Sequence, residues 1–224
     1  MKLTLLCNCG LLFTAQGQSL LVDAPNEMPC PPFYALPEPE FAALSARQGD
    51  FSSLQALVFT HAHADHYSPA RVRACAQGLP VLLPQRQDAP PQSFRFGVFT
   101  VELQPIAHTP LPHAALPPNA AVIVEAEGRR VYLGGDADID VAAHERAMQG
   151  RRFDAAFWNG QFLSYPQTRA LLHAASSRNY IYHIPIDERD VSGIRRKCRR
   201  NLQRFAQELS GVVLLEQYPA EIAL

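Results

Sequence analysis

The sequence predicts an α/β fold, and three observations support this prediction. Short apolar runs that suit buried strands alternate with longer segments that suit helices, in both halves of the chain. A chain of 224 residues with 47% hydrophobic residues can bury a substantial core. No linker separates the halves, so we expect one domain over residues 1–224.

The elements are predicted from apolar periodicity and turn residues. In the first half we expect strands at 2–7, 11–15, 19–23, 55–59 and 80–83, and helices at 38–48 and 69–77. The second helix begins with Ser68 as N-cap and Pro69 as the first helical residue. In the second half we expect strands at 98–104, 120–126, 130–134, 154–158, 179–183 and 212–217, and helices at 139–149, 166–175 and 192–209.

The start of the chain is predicted to be part of the fold. Asn8, Cys9 and Gly10 interrupt the first apolar run too early for an export signal, so we expect a hairpin. The chain has no uninterrupted apolar run of about 18 residues, which argues against a membrane span. The cysteines lack C-x-x-C spacing, which indicates reduced thiols and a cytoplasmic protein; Cys7 and Cys9 are expected to alternate in the first strand.

A cluster of metal-binding residue types follows the apolar run 56–59. His61, His63, Asp65 and His66 lie within six residues, at a predicted strand-to-helix turn. His61 and His63 are two residues apart, so in extended chain they project to one side and can bind one ion. Asp65 and His66 follow as the chain turns, so one loop can supply ligands to two metals. The alternative, solvated loop histidines without a fixed role, is disfavoured by this spacing.

This run resembles the H-x-H-x-D-H signature of the metallo-β-lactamase-fold hydrolases, especially the small, phosphodiesterase-like members. The resemblance implies a four-layer αββα sandwich with metals in the groove between the sheet edges. It also implies roles for residues that follow other strands, in the right order along the chain. These are Asp23, which would support the metal loop, His108 as the third ligand, Asp136 as a metal-bridging aspartate, and His183 as a late ligand. His113 lies in the same proline-rich loop as His108 and is an alternative ligand or substrate contact.

The implied ligand sets predict a dinuclear hydrolase. His61, His63 and His108 would hold one divalent ion, Asp65, His66 and His183 the other, and Asp136 would bridge them. A shared water would then lose its proton near neutral pH and attack the substrate, while Asp65 or a nearby water protonates the leaving group. The imidazole-rich set favours zinc, and manganese and iron are also compatible with it.

The substrate is predicted with less detail than the chemistry. The resemblance favours a small anionic phosphodiester or a similar ester. Lactones and thioesters are cleaved on the same fold, and the same ligands with iron support persulfide-type oxygenases. A non-catalytic metal-binding module is a further alternative. Phe33 and Tyr34 could stack on a substrate or pack as core, and the two proline-rich stretches 25–34 and 108–118 are expected to frame the groove.

Charge gives one local feature. The net charge of −1 offers no hint of nucleic acid or membrane, so neither is expected as a partner. The last helix carries Arg195, Arg196, Lys197, Arg199, Arg200 and Arg204. Its anionic partner could be Asp187, Glu188 or Asp190, carboxylates of a second copy in a homodimer, or a phosphate of substrate or nucleic acid, although a solvated face is the simplest explanation. His144 and His173 are expected to be surface histidines on helices.

Overall fold

Two β-sheets lie at the centre of the protein. Its computed structural model describes residues 1–27, 33–111, 115–185 and 190–224. The first sheet contains β1 (Lys2–Cys7), β2 (Gly10–Ala15), β3 (Gln18–Val22), β4 (Leu54–Val58), β5 (Val81–Leu82) and β13 (Ala220–Ile222), in the order β13-β1-β2-β3-β4-β5. The second contains β6 (Gln92–Phe96), β7 (Phe99–Pro105), β8 (Ala120–Ala126), β9 (Arg129–Leu133), β10 (Ala155–Trp158), β11 (Asn179–Ile181) and β12 (Val212–Leu214), in the order β12-β11-β10-β9-β8-β7-β6.

Helices cover the outer face of each sheet. They are α1 (Glu38–Ser45), α2 (Pro69–Cys75), α3 (Val141–Met148), α4 (Pro166–Ala175) and α5 (Ile194–Arg204). α1 and α2 pack on the first sheet, since Leu44 and Val72 share an apolar cluster with strand residues such as Leu57. α3, α4 and α5 cover the second sheet through a separate cluster.

The main core lies between the sheets. Residues from both sheets, including Leu5, Val22 and Val122, form one buried cluster. Strand alternation produces this arrangement, because Val122 and Val124 face the other sheet while Ile123 between them faces the helices. The predicted four-layer αββα sandwich is therefore confirmed.

Local capping fixes the start of two helices. The Ser68 hydroxyl accepts a hydrogen bond from the Arg71 amide at 3.2 Å, and Pro69 occupies the first turn, as predicted. Asp140 plays the same part for α3, because its carboxylate accepts from the Ala143 amide at 3.1 Å. Two short 3-10 turns, Gly49–Phe51 and Gly160–Leu163, complete the regular structure of the described residues.

The predicted elements are all present, and differences lie at their ends. The last helix ends at Arg204, and strand β11 ends at Ile181, two residues before His183. The sequence analysis missed β6 and β13. Among the described residues, strand β6 pairs only with β7 and β13 only with β1, so both are edge strands that lack the continuous apolar pattern of a central strand.

Two predictions about single residues were wrong. His144 is fully buried. Both of its ring nitrogens have partners there, because Nδ1 lies 2.5 Å from the Tyr132 hydroxyl and Nε2 lies 2.8 Å from the Asp138 carbonyl. His173 is exposed, as expected. Cys9 does not alternate with Cys7 in a strand: β1 ends at Cys7 and Cys9 lies in the turn to β2.

The first hairpin and the thiols otherwise agree with the prediction. β1 and β2 pair antiparallel, with Leu3 opposite Phe13. Cys7, Cys9, Cys75 and Cys198 carry free, buried thiols, and Cys30 lies outside the described residues. In the part of the chain that the structure describes, no helix combines the length and the apolar character that a bilayer crossing requires.

Candidate metal centre

The predicted site residues converge at one edge of the two sheets. Asp23 follows β3 and the His61–His66 loop follows β4, which pairs parallel with β3. On the second sheet Asp136 and His183 follow β9 and β11, both parallel to β10 between them. Because the carboxyl ends of parallel strands meet at one edge, residues distant in sequence become neighbours there.

His61, His63 and His108 form a first group of potential metal ligands. One nitrogen of each lies within 4.8 Å of one nitrogen of each other member. The His108 Nδ1 donates to the Thr109 carbonyl at 2.6 Å, and the His61 Nδ1 lies 3.0 Å from the Thr60 hydroxyl. The Nε2 atoms of His61 and His108 are buried and have no hydrogen-bond partner among the described residues. Buried nitrogens that point lone pairs at one space fit a metal ion.

Asp65, His66, Asp136 and His183 form a second group. The His183 Nε2 lies 3.0 Å from Asp65 Oδ2 and 3.1 Å from the His66 Nε2. Asp136 lies between the two groups: its Oδ2 is 3.7 Å from the His66 Nε2 and 3.8 Å from the His108 Nε2. This placement would let one carboxylate contact two ions.

Asp23 holds the metal loop from beneath. Its fully buried carboxylate accepts from the Thr60 amide at 2.8 Å and from the Thr60 hydroxyl at about 3 Å. The His66 Nδ1 lies 3.1 Å from Asp23 Oδ2. A carboxylate at Nδ1 favours the proton on that nitrogen and so leaves the Nε2 of the neutral ring for a metal.

The loop that carries Asp136 depends on a glycine. Gly135 has a φ of +58°, and a Cβ there would lie 3.0 Å from the Thr60 side chain, so only glycine fits without strain. The Gly135 amide donates to the buried Tyr182 hydroxyl at 3.0 Å. Asn159, which follows β10, donates to the Gly135 and Ala137 carbonyls at 3.4 Å each. The sequence analysis did not identify Tyr182 or Asn159, because nothing in their local sequence indicates these contacts.

The electrostatics favour ionised carboxylates in the site and neutral imidazoles at His61 and His63. Burial lowers the pKa of His61 and of His63, and the neighbouring imidazoles act in the same direction. Burial would raise the pKa of Asp136, but the adjacent His183 and His66 outweigh it and hold the pKa well below its usual range. For Asp65, burial is likewise outweighed by the hydrogen bond from His183, so its pKa is lowered. Burial would also lower the pKa of His66 and of His183, but neighbouring acidic groups outweigh it and raise both. Ionised carboxylates and neutral imidazoles are the forms that bind metal, so an ion that binds to His66 and His183 would displace protons.

A cavity of about 580 Å³ opens over the two groups. His63, Asp65, His108, Asp136 and His183 line its floor. The described parts of both proline-rich stretches contribute to its wall, as predicted, through Phe33 and through Thr109 and Leu111. The remaining lining residues are Ala64, Asn159, Gly160, Gln161, Ile194, Lys197 and Cys198, and of these only Lys197 was singled out from the sequence, as part of the basic helix.

The structure bears on two alternatives left open by the sequence: whether Phe33 and Tyr34 line the groove, and which histidine of the proline-rich loop lies at the site. Phe33 is half-buried and packs edge-on against the His183 ring at 4.1 Å, so it lines the cavity and is not core. Tyr34 is exposed. His113 lies outside the described residues, whereas His108 lies in the first group of potential ligands.

The fold has counterparts among solved structures. No family model matches the chain, and no curated protein does. A structure of a possible metal-dependent hydrolase from Veillonella parvula superposes with a TM-score of 0.72 at 18% identity, covering 100% of this chain and 99% of that one. An isothiocyanate hydrolase from Delia radicum gut bacteria gives 0.69 at 17% identity, with coverage of 100% and 99%. The metallo-β-lactamase fold protein YhfI from Bacillus subtilis gives 0.62 at 14%, with coverage of 99% and 99%. The chain therefore has the metallo-β-lactamase fold, as the resemblance implied.

Proposed function

We propose that this protein is a hydrolase that uses two divalent metal ions. His61, His63 and His108 would hold one ion, and Asp65, His66 and His183 would hold the other, with Asp136 shared between them. The observation that carries the proposal is the pair of buried Nε2 atoms, of His61 and His108, that lack a partner among the described residues. Leaving such atoms without a partner costs about 1–3 kcal/mol each, and a metal ion removes that cost.

The residues around the ions have distinct tasks in such a mechanism. When bound, two ions lower the pKa of a water molecule and polarise the substrate oxygen. Asp23 and Thr60 keep His66 and His61 in the required tautomers. Asp65, ionised at neutral pH, would accept the proton of the attacking water and return it to the leaving group. The His183 Nε2 and the Asp65 Oδ2 lie 3.0 Å apart, which would let both hold the same ion.

The proposed substrate is a small phosphodiester or a similar ester. The cavity volume of about 580 Å³ is within the range of pockets that bind small molecules. Zinc is the metal we propose, because imidazoles predominate among the potential ligands: the two groups contain five histidines and two aspartates.

A second candidate substrate class is a small neutral electrophile, such as an isothiocyanate. Phe33, Leu111 and Ile194 give the cavity apolar walls, which a charged phosphodiester does not need. The likeness to the isothiocyanate hydrolase extends over the whole length of both chains. Lactones and thioesters are also neutral electrophiles and would suit the same walls.

The first experiment is metal content by elemental analysis, paired with turnover of bis(p-nitrophenyl) phosphate and of benzyl isothiocyanate, with and without chelator. Two equivalents of metal and chelator-sensitive turnover of either substrate would support the proposal. H63A should abolish turnover, whereas H173A, a histidine exposed on α4, should not. Iron together with oxygen consumption would indicate an oxygenase, and absence of bound metal would refute the proposal.

A further inference from the structure

The basic side chains of α5 divide into two groups with different surroundings. Arg195 and Arg199 both contact Glu216; the Arg199 Nε to Glu216 Oε1 distance is 2.9 Å. Arg196 lies 3.5 Å from the Asp190 carboxylate. Lys197, in contrast, has no carboxylate within 4.0 Å among the described residues, and it lines the cavity over the candidate metal centre. Carboxylates therefore pair with three arginines of α5, and among the basic residues of this helix Lys197 is the one that lines the cavity.

Helical geometry explains why Lys197 reaches the cavity. Ile194, Lys197, Cys198 and Asn201 follow i, i+3, i+4, i+7 spacing, so they share one face of α5. Ile194 and Cys198 line the same cavity, and Asn201 Nδ2 donates to the Ser164 hydroxyl at 3.2 Å. Lys197 lies at the edge of this face, where it is exposed to solvent and also lines the cavity.

The position of α5 is fixed at several points. A Cβ on Gly160 would lie 2.5 Å from the Cys198 Sγ, so the helix approaches the 3-10 turn as closely as a glycine allows. The Asp190 carboxylate accepts from the Arg195 and Arg196 amides at 3.2 and 2.9 Å and so caps the helix. A lysine on a helix that is held in place can bind a negatively charged group at a defined distance from the candidate metal centre.

We propose that Lys197 binds an anionic group of the substrate, a carboxylate or phosphate remote from the bond that is cleaved. The body of this small molecule would pack against Phe33, Leu111 and Ile194. Of the described residues that line the cavity, Lys197 is the one lysine or arginine. The inference rests on the proposed function, which places the bond that is cleaved at the metal centre. The inference adds that the charged end of the substrate lies at α5.

The test compares two ligands that differ in one charge, 4-phenylbutyrate and 4-phenylbutan-1-ol, binding to the metal-loaded protein by calorimetry. K197Q should weaken 4-phenylbutyrate relative to the alcohol by about fivefold, the upper end of the contribution of an exposed ion pair. K197E should weaken it further, and the preference should shrink as salt is raised. R200Q is the matched control, because it removes a charge from the same helix outside the cavity lining.

Two results would overturn this inference. If K197Q keeps the wild-type affinity ratio, the carboxylate binds elsewhere, for example at the metals; if neither ligand binds, the cavity does not take this class. Metal content and turnover are measured on the same preparations. If the wild-type protein has neither bound metal nor turnover, the proposed hydrolase is refuted. If it has both, and K197Q keeps the wild-type ratio of the two ligand affinities, only the role of Lys197 is refuted.

Discussion

Replacing Asp23 with Asn tests the support of the metal loop most directly. The side chain keeps its size, and its remaining oxygen can still accept from the Thr60 amide and hydroxyl. The new amide group, however, would face the His66 Nδ1, which lies 3.1 Å from Asp23 Oδ2. The imidazole would escape this donor-to-donor contact by moving its proton to Nε2, the atom that a metal would need.

The expected magnitude follows from this change of tautomer. Outer-shell partners of metal-binding histidines typically contribute 10–100-fold to metal affinity, so D23N should lose about 1.4–2.7 kcal/mol of binding free energy. The metal-free protein should lose less stability than that, because most hydrogen bonds of Asp23 are retained. D23A, which removes all of them from a fully buried site, should also lower the free energy of unfolding by about 2–3 kcal/mol.

The assay is competition for Zn²⁺ against a fluorescent chelator, with urea unfolding of the metal-free variants beside it. D154N is the control: the Asp154 carboxylate accepts from the Arg130 amide at 2.8 Å, at the opposite end of β10 from the candidate metal centre. It should lose stability and keep its metal affinity. A zinc affinity of D23N within twofold of wild type would refute the supporting role.

Three further predictions concern the same loops and the core behind them. G135A should lower the free energy of unfolding by about 2 kcal/mol or more, and also lower metal affinity, because the new Cβ adds a contact with Thr60 to the strain of positive φ. G128A is the control: at φ +69° with nothing within 4 Å, it should cost only about 1 kcal/mol. Equal losses of the two variants in urea unfolding would contradict this reasoning. D136N should reduce metal content and turnover together, and unchanged values of both would exclude a shared carboxylate. Burial lowers the pKa of His144 to about 4, so the unfolded chain binds a proton first as the pH falls, and between pH 6.5 and 4 this should cost about 3 kcal/mol of stability. H144F should lose that part of the pH dependence, and an unfolding free energy with the same slope as wild type would show that His144 is not the group that titrates.

Much of the fold was predictable because its signals are local. Val122, Val124 and their neighbours alternate between the two faces of a strand, and Ser68-Pro69 marks a helix start, so these elements could be located from short windows of sequence. Strands β6 and β13 could not, because each is held by one neighbouring strand and carries too little apolar pattern of its own. His144 was misassigned for a related reason: its burial depends on Tyr132 and on the Asp138 carbonyl, both outside its helix.

The sequence by itself determined the four potential metal ligands of one loop. His61, His63, Asp65 and His66 are close in space because they are close in sequence, and an apolar strand before them fixes where the loop begins. Only the tertiary structure decided how Asp23, His108, Asp136 and His183 meet this loop, since strands from two sheets must end at one edge to bring them together. The same is true of Lys197: the sequence shows a run of positive charge, whereas the distances to Glu216 and Asp190 and the face of α5 towards the cavity distinguish the lysine from the arginines. Side-chain type is a property of sequence, but which groups pair and which remain for a ligand depends on contacts between distant segments.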